Sequence, residues 1–280
     1  WEYIHRLWGR LIGAAFFFPW LYFLIRKRMT ARFAKKTLVA FFLGMLQGVL
    51  GWYMVSSGLV DRPEVSHHRL TAHLCLAFAV GMYLLWLMLD ARPQVTDRPS
   101  DRGTGLRRAT WAFIGLLSIQ IVWGGFMAGT RAGLLYPTFP DMHGTFMPAA
   151  VGEFDSWLAD LADNPHTIHF VHRLLAYLCV LAAAAIWFWG RRHVLTPRAR
   201  LALHALGAGT VIQFVLGVLT VIMHVPTATA VKHQAGAYLL LSVAVVLVHT
   251  LRADRRRPHP SGASKSHQEG LDNGQRDKSG

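Results

Sequence analysis

Four histidines occupy equivalent places near the beginnings of four long apolar stretches of this sequence. They are His5, His73, His172 and His233. Two of them are followed directly by arginine, and the other two open the runs HLCLAFAVGMYLL and HQAGAYLLLSVAV. Ionisable side chains within a membrane bundle are costly and usually have a function. Paired imidazoles inside a four-helix bundle are a common way to hold haem iron, so these residues are candidate haem ligands.

Other interpretations of the histidines stay open. A single intramembrane histidine is often a hydrogen-bonded structural residue, but four in register are harder to explain in that way. Zinc fits less well, because no cysteine or close carboxylate completes a tetrahedral set. The segment HTIHFVH also brings together His166, His169 and His172, of which we favour His172 as the ligand and place the other two at the interface. Loop or interface roles are the default for His67, His68, His143 and His224.

Glu2 stands three residues before His5, in the opening segment EYIHRLWGRLIG. The two side chains share one face if the helix has already begun there. A carboxylate beside a ring-bound iron can take a proton, activate water or stabilise a developing cation, although an ordinary helix N-terminal glutamate is an equal alternative. His169 stands at the corresponding place before His172. This asymmetry suggests that one half of the protein catalyses and the other carries electrons.

Three arginines lie beside the candidate ligands. Arg6 and Arg10 are four residues apart and therefore share a helix face, and Arg173 follows the third histidine. A guanidinium pairs well with carboxylates, so these residues are candidate partners for haem propionates. Snorkelling toward lipid headgroups is the alternative for each of them.

The elements that must position these residues are membrane-spanning helices. The chain is 53% hydrophobic with a mean hydropathy of +0.31, too apolar for an ordinary soluble domain. Seven stretches are long enough to cross a bilayer, at roughly 20 residues each. They cover 7–25, 38–55, 70–89, 109–128, 167–189, 201–222 and 232–250. The predicted fold class is therefore an all-α integral membrane protein.

The net charge of +14 is distributed as membrane topology requires. Lysine and arginine concentrate in alternate connections, at 26–36, 90–108, 190–200 and in the tail from 252, whereas the connection 130–165 is neutral to acidic. This pattern follows the positive-inside rule and argues against a nucleic-acid partner. It places Trp1 outside and the C-terminus in the cytoplasm of a bacterium, with the mitochondrial inner membrane and matrix as the equivalent in a eukaryote. Both cysteines fall inside predicted helices, so a disulfide framework is not expected.

Three segments of the chain resemble one another around a glutamine. They contain Gln47, Gln120 and Gln213. The repeat offsets are 167 residues from His5 to His172, 166 from Gln47 to Gln213 and 160 from His73 to His233. Such near-constant offsets predict two pseudo-symmetric four-helix halves in the same orientation.

The second half is complete, whereas the first shows only three helices. We therefore expect seven of eight helices here, with the first one missing. The predicted units are an N-terminal half-bundle at 1–90, a cytoplasmic linker at 91–108, a C-terminal four-helix half-bundle at 109–251 and a disordered cytoplasmic tail at 252–280. The tail is rich in serine, glycine, proline and charge.

Several segments resemble the haem A synthase family, the membrane enzymes that convert haem O to haem A for cytochrome oxidase. They are EYIHRLWGRLIG, QGVLGWYMVSSGL, RLTAHL, GLLYPTFPDM, HFVHRLLAY and VPTATAVKHQAG, in the family's order and over about residues 1–251. The most similar subtype is the proteobacterial and mitochondrial one. The absent first helix departs from the family pattern, as does the lack of a cysteine pair in an outer loop.

The resemblance implies a function for each candidate residue. His172 and His233 would hold a resident haem b, and His5 and His73 would hold the substrate, haem O. Glu2 matches the carboxylate that the family places before its first ligand. The implied reaction oxidises a porphyrin methyl group to a formyl group in the bacterial inner membrane, with oxygen from water and an unspecified electron acceptor. Haem O synthase and cytochrome oxidase assembly factors are the implied protein partners, and a homo-oligomer is left open.

The main rival hypothesis is a dihaem b-type protein that transfers electrons without modifying haem. An electron-transfer protein does not need Glu2. A substitution of Glu2 should therefore leave such a protein intact, and this distinguishes the two hypotheses. A haem carrier without enzymatic activity is a third hypothesis, and it predicts release of unmodified haem. A polyprenyl transferase needs aspartate-rich clusters for magnesium and diphosphate, and the close pair Asp160 and Asp163 lies in an outer connection in the wrong pattern.

Overall fold

A computed structural model describes residues 2–56, 65–92 and 104–252, without the side chain of Glu2. These residues form eight α-helices and a short 3-10 helix, and they contain no strand. The α-helices are α1 (Glu2–Ile25), α2 (Ala31–Val55), α3 (His67–Ala91), α4 (Thr104–Gly129), α5 (Trp157–Asp163), α6 (Pro165–Gly190), α7 (Pro197–Ile222) and α8 (Thr227–Thr250). The 3-10 helix is Ala132–Leu134. Most of the predicted linker and nearly all of the predicted tail lie outside the described residues, at 93–103 and 253–280.

All seven predicted spans are confirmed as helices long and apolar enough to cross a membrane. Most begin several residues before the apolar run, because their caps lie in the polar connections. The Thr30 hydroxyl accepts from the Phe33 N–H at the start of α2, and Thr196 caps α7 in the same way at Ala199. Hydropathy therefore locates the apolar part of each helix, whereas the capping residues locate its beginning.

The helices pack around α3, α4 and α8. Helix α4 contacts α3, α6 and α8, and α7 lies against α6 and α8. Helix α2 packs on α3, and α1 packs mainly on α2, where the Trp20 ring stacks on Phe41 with centroids 5.8 Å apart. At the contact of α3 with α8, a Cβ added at Gly81 would collide with the Tyr238 ring. The grouping of the helices into two homologous halves stays a prediction.

One end of the bundle carries His73, His172 and His233 and is called the histidine end below. At the opposite end, the carboxylate of Asp90 on α3 contacts three side chains from two other parts of the chain. It accepts hydrogen bonds from Lys36 of α2 at 3.0 Å and from Arg252, just after α8, at 2.9 Å. The His249 Nε2 atom of α8 lies 3.1 Å from the same carboxylate. The ends of α2, α3 and α8 are therefore tied together by one acidic side chain.

At the histidine end, the connection between α4 and α6 is organised around the buried carboxylate of Asp160 in α5. This carboxylate accepts from the Thr167 hydroxyl at 2.7 Å, the Asn164 amide at 2.8 Å, and the backbone N–H groups of Gly152 at 3.2 Å and Phe154 at 3.3 Å. Burial by itself would raise the pKa of Asp160, but the four hydrogen bonds to the charged form outweigh it and lower that pKa.

The lowered pKa of Asp160 gives a testable pH dependence. A group whose folded-state pKa lies below its unfolded value of about 4 stabilises the fold above that value. This contribution is lost as the pH falls through the lowered folded-state pKa. Asp160→Asn should therefore reduce the free energy of unfolding at pH 7 by about 1–3 kcal/mol, because donors lose their charged acceptor. It should also flatten the acid dependence of unfolding.

Thermal unfolding in detergent between pH 7 and pH 3 measures both effects. Asp155→Asn, which changes an exposed carboxylate in the same connection, is the matched control and should leave the wild-type profile in place. Equal acid sensitivity of the wild type and Asp160→Asn would contradict the assigned role.

Candidate haem-binding site

Three of the four predicted ligands meet a glutamine from the preceding membrane-spanning helix. The Nε2 atoms of Gln47 and Gln120 lie 3.3 Å from His73 Nε2 and His172 Nε2, and Gln213 Nε2 lies 3.1 Å from His233 Nδ1. Two of these amides also donate to the backbone carbonyl of their histidine, Gln47 at 3.1 Å and Gln213 at 2.7 Å. Each imidazole is therefore held in place from a neighbouring helix.

A glycine follows each of these glutamines by four residues and lies on the same helix face. A Cβ added at Gly51 or Gly217 would stand 2.9 Å from Cε1 of the facing histidine, and one at Gly124 would stand 3.4 Å away. Glycine thus lets the imidazole lie against the helix backbone. We call each such unit, Gln-x-x-x-Gly on one helix against histidine on the next, a histidine mount.

The repeat alone identifies the glutamines only as equivalent positions, and it does not predict the histidine mount. A signal for it was present, because QGVLG, QIVWG and QFVLG all combine glutamine and glycine at a spacing of four. Each of these segments comes before a candidate histidine in the next long apolar stretch. This combination could have suggested a shared task for the two residue types.

The imidazoles keep a nitrogen for a further ligand. His73 Nδ1 and His172 Nδ1 are buried and have no hydrogen-bond partner in the protein. Buried polar atoms nearly always have a partner, so these two nitrogens are suitable metal ligands in the tautomer that carries its proton on Nε2. In His233 the glutamine meets Nδ1, which leaves Nε2 for the same purpose.

His172 and His233 face each other across the C-terminal helices. Their ring centroids are 6.5 Å apart, with an angle of 77° between the rings. Two imidazoles on opposite sides of one metal place their centroids roughly 6 Å apart, since each metal–nitrogen bond is about 2 Å. The donor type, the free nitrogens and the spacing therefore fit a haem iron held between these two side chains.

His5 and His73 are the corresponding pair in the N-terminal helices. The two imidazoles lie close enough to interact electrostatically, and His5 is exposed whereas His73 is half-buried. Two glycine pairs lie on the same helices, Gly9 with Gly13 on α1 and Gly44 with Gly48 on α2, and the described residues leave open space beside them. No described heavy atom lies within 4 Å of a Cβ placed at Gly9, Gly13, Gly44 or Gly48, apart from the atoms of the glycine's own helix turn.

The structure describes the charged residues of the opening segment only in part. Glu2 is the first residue of α1, so it lies within the helix that also carries His5, and its side chain lies outside the described part of the protein. Arg6 and Arg10 are exposed. Their assignment to haem propionates stays a prediction.

Arg173 anchors the connection between α4 and α6. Its guanidinium donates to the carbonyls of Asp141 and Tyr136, both at 2.8 Å, and to His169 Nε2 at 3.0 Å. A guanidinium has five N–H groups, so donors remain for a propionate. The proposed propionate contact of Arg173 therefore stays a prediction, and the residue has a structural task in addition.

His166 and His169 help to hold the same connection. His169 is fully buried, with Nδ1 2.9 Å from the Ala132 carbonyl, and this differs from the interfacial position expected from the sequence. Burial, with a smaller effect from the Glu153 carboxylate, raises the pKa of Tyr136. The Tyr136 hydroxyl therefore keeps its proton, and it lies 2.6 Å from His166 Nδ1, within hydrogen-bond distance.

The fold and the site together define a multi-pass all-α membrane protein with a facing pair of half-buried histidines at one end of the bundle. The chain belongs to the COX15-CtaA family of cytochrome oxidase assembly proteins, whose sequence model matches residues 1–245. It is 43% identical over 253 residues to a heme A synthase of Nitrosospira multiformis, covering 90% of this chain and 71% of that protein. It is 41% identical over 247 residues to a heme A synthase of Nitrosomonas eutropha, covering 88% and 69%. A heme A synthase of Parvibaculum lavamentivorans is 39% identical over 251 residues, covering 90% and 71%.

Proposed function

We propose that this chain is a haem A synthase, which oxidises a methyl group of haem O to a formyl group to provide haem A for cytochrome oxidase. The proposal is supported by its family and by relatives that carry this name over about nine-tenths of the chain. The observation that carries it is the facing pair of His172 and His233, with ring centroids 6.5 Å apart, an unpartnered Nδ1 on His172 and the glutamine on Nδ1 of His233. Two facing imidazoles are a ligand pair that can hold a haem iron.

In this proposal the two histidine pairs have different tasks. His172 and His233 bind a resident haem b, which supplies the redox chemistry when bound. His5 and His73 hold the substrate haem O, so that its methyl group is presented to the Glu2 end of α1. Arg6, Arg10 and Arg173 orient the haems through their propionates. Glu2 accepts protons as the methyl group is oxidised through successive two-electron hydroxylations with oxygen from water, and the electrons pass to an acceptor that this chain does not itself supply.

The proposed location is the bacterial inner membrane, with Trp1 on the outer side and the C-terminus in the cytoplasm. The alternating distribution of basic residues supports this orientation. Haem O synthase and oxidase assembly factors are the proposed partners, because the first would supply the substrate and the second would accept the product.

The test is production of the full-length protein in a host that makes haem O but no haem A. Non-covalent haems are extracted and separated by chromatography with mass detection. Haem A, or its hydroxylated precursor, is the expected product. A folded, haem-loaded protein that yields only haem b and haem O would overturn the proposal and favour the dihaem electron carrier.

The glutamines of the histidine mounts give a further prediction. Residues that hold a metal-ligating histidine in place change metal affinity or activity by about 10–100-fold when they are removed. Gln120→Leu should therefore weaken retention of haem b and shift its reduction potential. Gln47→Leu should instead leave haem b unchanged and weaken binding of haem O.

Optical redox titration and haem extraction of the two purified variants measure these effects. The variants are controls for each other, because each changes the same residue type beside a different histidine. Unchanged potential and haem content in Gln120→Leu would show that the glutamine does not position its ligand.

A further inference from the structure

A second group of possible metal ligands lies at the histidine end and involves none of the predicted haem ligands. His67 and His68 begin α3, and Asp163 ends α5. The Nε2 atoms of the two histidines lie 2.9 Å and 2.8 Å from the same oxygen of Asp163, Oδ1. The carbonyl oxygen of Ala162 lies 3.0 Å from His67 Nε2. Four possible ligand atoms are thus gathered in one place by two distant segments.

The two imidazoles are fixed in this arrangement by α4. Their ring centroids are 4.0 Å apart, and the Phe126 ring packs edge-to-face against both, with centroids 5.9 Å and 5.5 Å away. A Cβ at Gly129 would collide with His67, so this glycine allows α4 to approach the start of α3. Consecutive residues inside a helix point about 100° apart. The two imidazoles nevertheless converge on Asp163. His67 is the first residue of α3, where the chain enters the first turn of the helix.

Two imidazole nitrogens and one carboxylate oxygen form a ligand set for a first-row divalent metal. Zinc sites with three protein ligands of this kind keep further positions for water. A set rich in imidazole also favours zinc or copper over calcium and magnesium, which prefer oxygen. A tetrahedral ion with bonds of about 2.0–2.1 Å holds its ligand atoms roughly 3.3 Å apart. The three ligand atoms here lie within 4.8 Å of one another, which is compatible with that arrangement after small side-chain movements.

We propose that His67, His68 and Asp163 bind one divalent transition-metal ion, for which Zn²⁺ is the probe. The side chains are 22%, 49% and 41% exposed, so an ion can enter from solvent and keep a water ligand. The ion bridges the start of α3 and the end of α5, which are about 95 residues apart in the chain. It thereby fastens the connection between α4 and α6 to the N-terminal helices.

The test uses the full-length, haem-loaded protein without a polyhistidine tag. After treatment with a chelator, it is dialysed against buffered Zn²⁺, and bound zinc is counted by mass spectrometry. One ion for each chain is expected in the wild type. His68→Ala and Asp163→Asn should each lower the affinity by at least about tenfold, with the haem spectrum unchanged.

His143→Ala is the matched control, because it removes another exposed histidine from the same end of the bundle. It should bind zinc as the wild type does. Zinc X-ray absorption should show two imidazole ligands in the wild type and one in His68→Ala. Wild-type zinc affinity in both His68→Ala and Asp163→Asn, or no zinc binding by the wild type, would overturn the proposal.

Discussion

Replacement of His172 by alanine is expected to remove haem b from the C-terminal helices. The residue supplies a buried imidazole nitrogen with no protein partner, and its ring faces that of His233 at 6.5 Å. Without His172, only His233 of the pair would hold the haem iron. We expect the haem b content of the purified protein to fall by at least about tenfold, because even residues that only support a ligand are worth about 10–100-fold in affinity.

Haem content per chain and the visible spectrum of the purified protein measure this effect. His204→Ala is the matched control. His204 lies on α7, in the same group of helices, and is not one of the predicted haem ligands. Its Nδ1 accepts from Trp187 Nε1 at 3.0 Å. Unchanged haem b and an unchanged spectrum in His172→Ala would show that the facing pair is not the ligand pair.

Replacement of Glu2 by glutamine is expected to stop haem A formation while leaving haem binding intact. Glutamine has nearly the same shape, but it cannot take the proton that oxidation of the methyl group releases. Positioned acid–base groups contribute about 10²–10⁴-fold to rate, so we expect the yield of haem A to fall at least about 100-fold. Haem b and haem O should both remain in the purified protein.

The measurement is extraction and mass detection of haems from the host that makes haem O. Glu153→Gln is the control, because it changes another glutamate in the connection at the histidine end. Haem A at wild-type levels in Glu2→Gln would remove Glu2 from the reaction. Loss of bound haem O in this variant would instead assign the residue to substrate binding.

The spanning helices were predictable because hydropathy acts locally. A run of apolar residues needs about 20 positions to cross a bilayer, and each of the seven runs met this condition. Helix α5 was not predicted, because it has only seven residues and depends on Asp160, whose partners Gly152 and Thr167 come from either side of it. Short helices of this kind are fixed by tertiary hydrogen bonds, which a hydropathy pattern does not contain.

The site was predictable only in part, for a related reason. Repetition identified the histidines, but it does not say which side chains meet across helices. The contact between Gln120 and His172 joins residues 52 positions apart, and that between Gln47 and His73 joins residues 26 apart. The burial of His169 likewise depends on the Ala132 carbonyl, 37 residues away. Spacing on one helix gives no information about these partners.

The histidine mount occurs on α2 as well as on α4 and α7, so an imidazole is seated in the same way in the N-terminal and the C-terminal helices. In the proposed enzyme, however, one haem stays for the life of the protein and the other leaves after every turnover. Shared seating by itself cannot produce this difference in residence time. We therefore expect the difference to come from residues outside the three mounts.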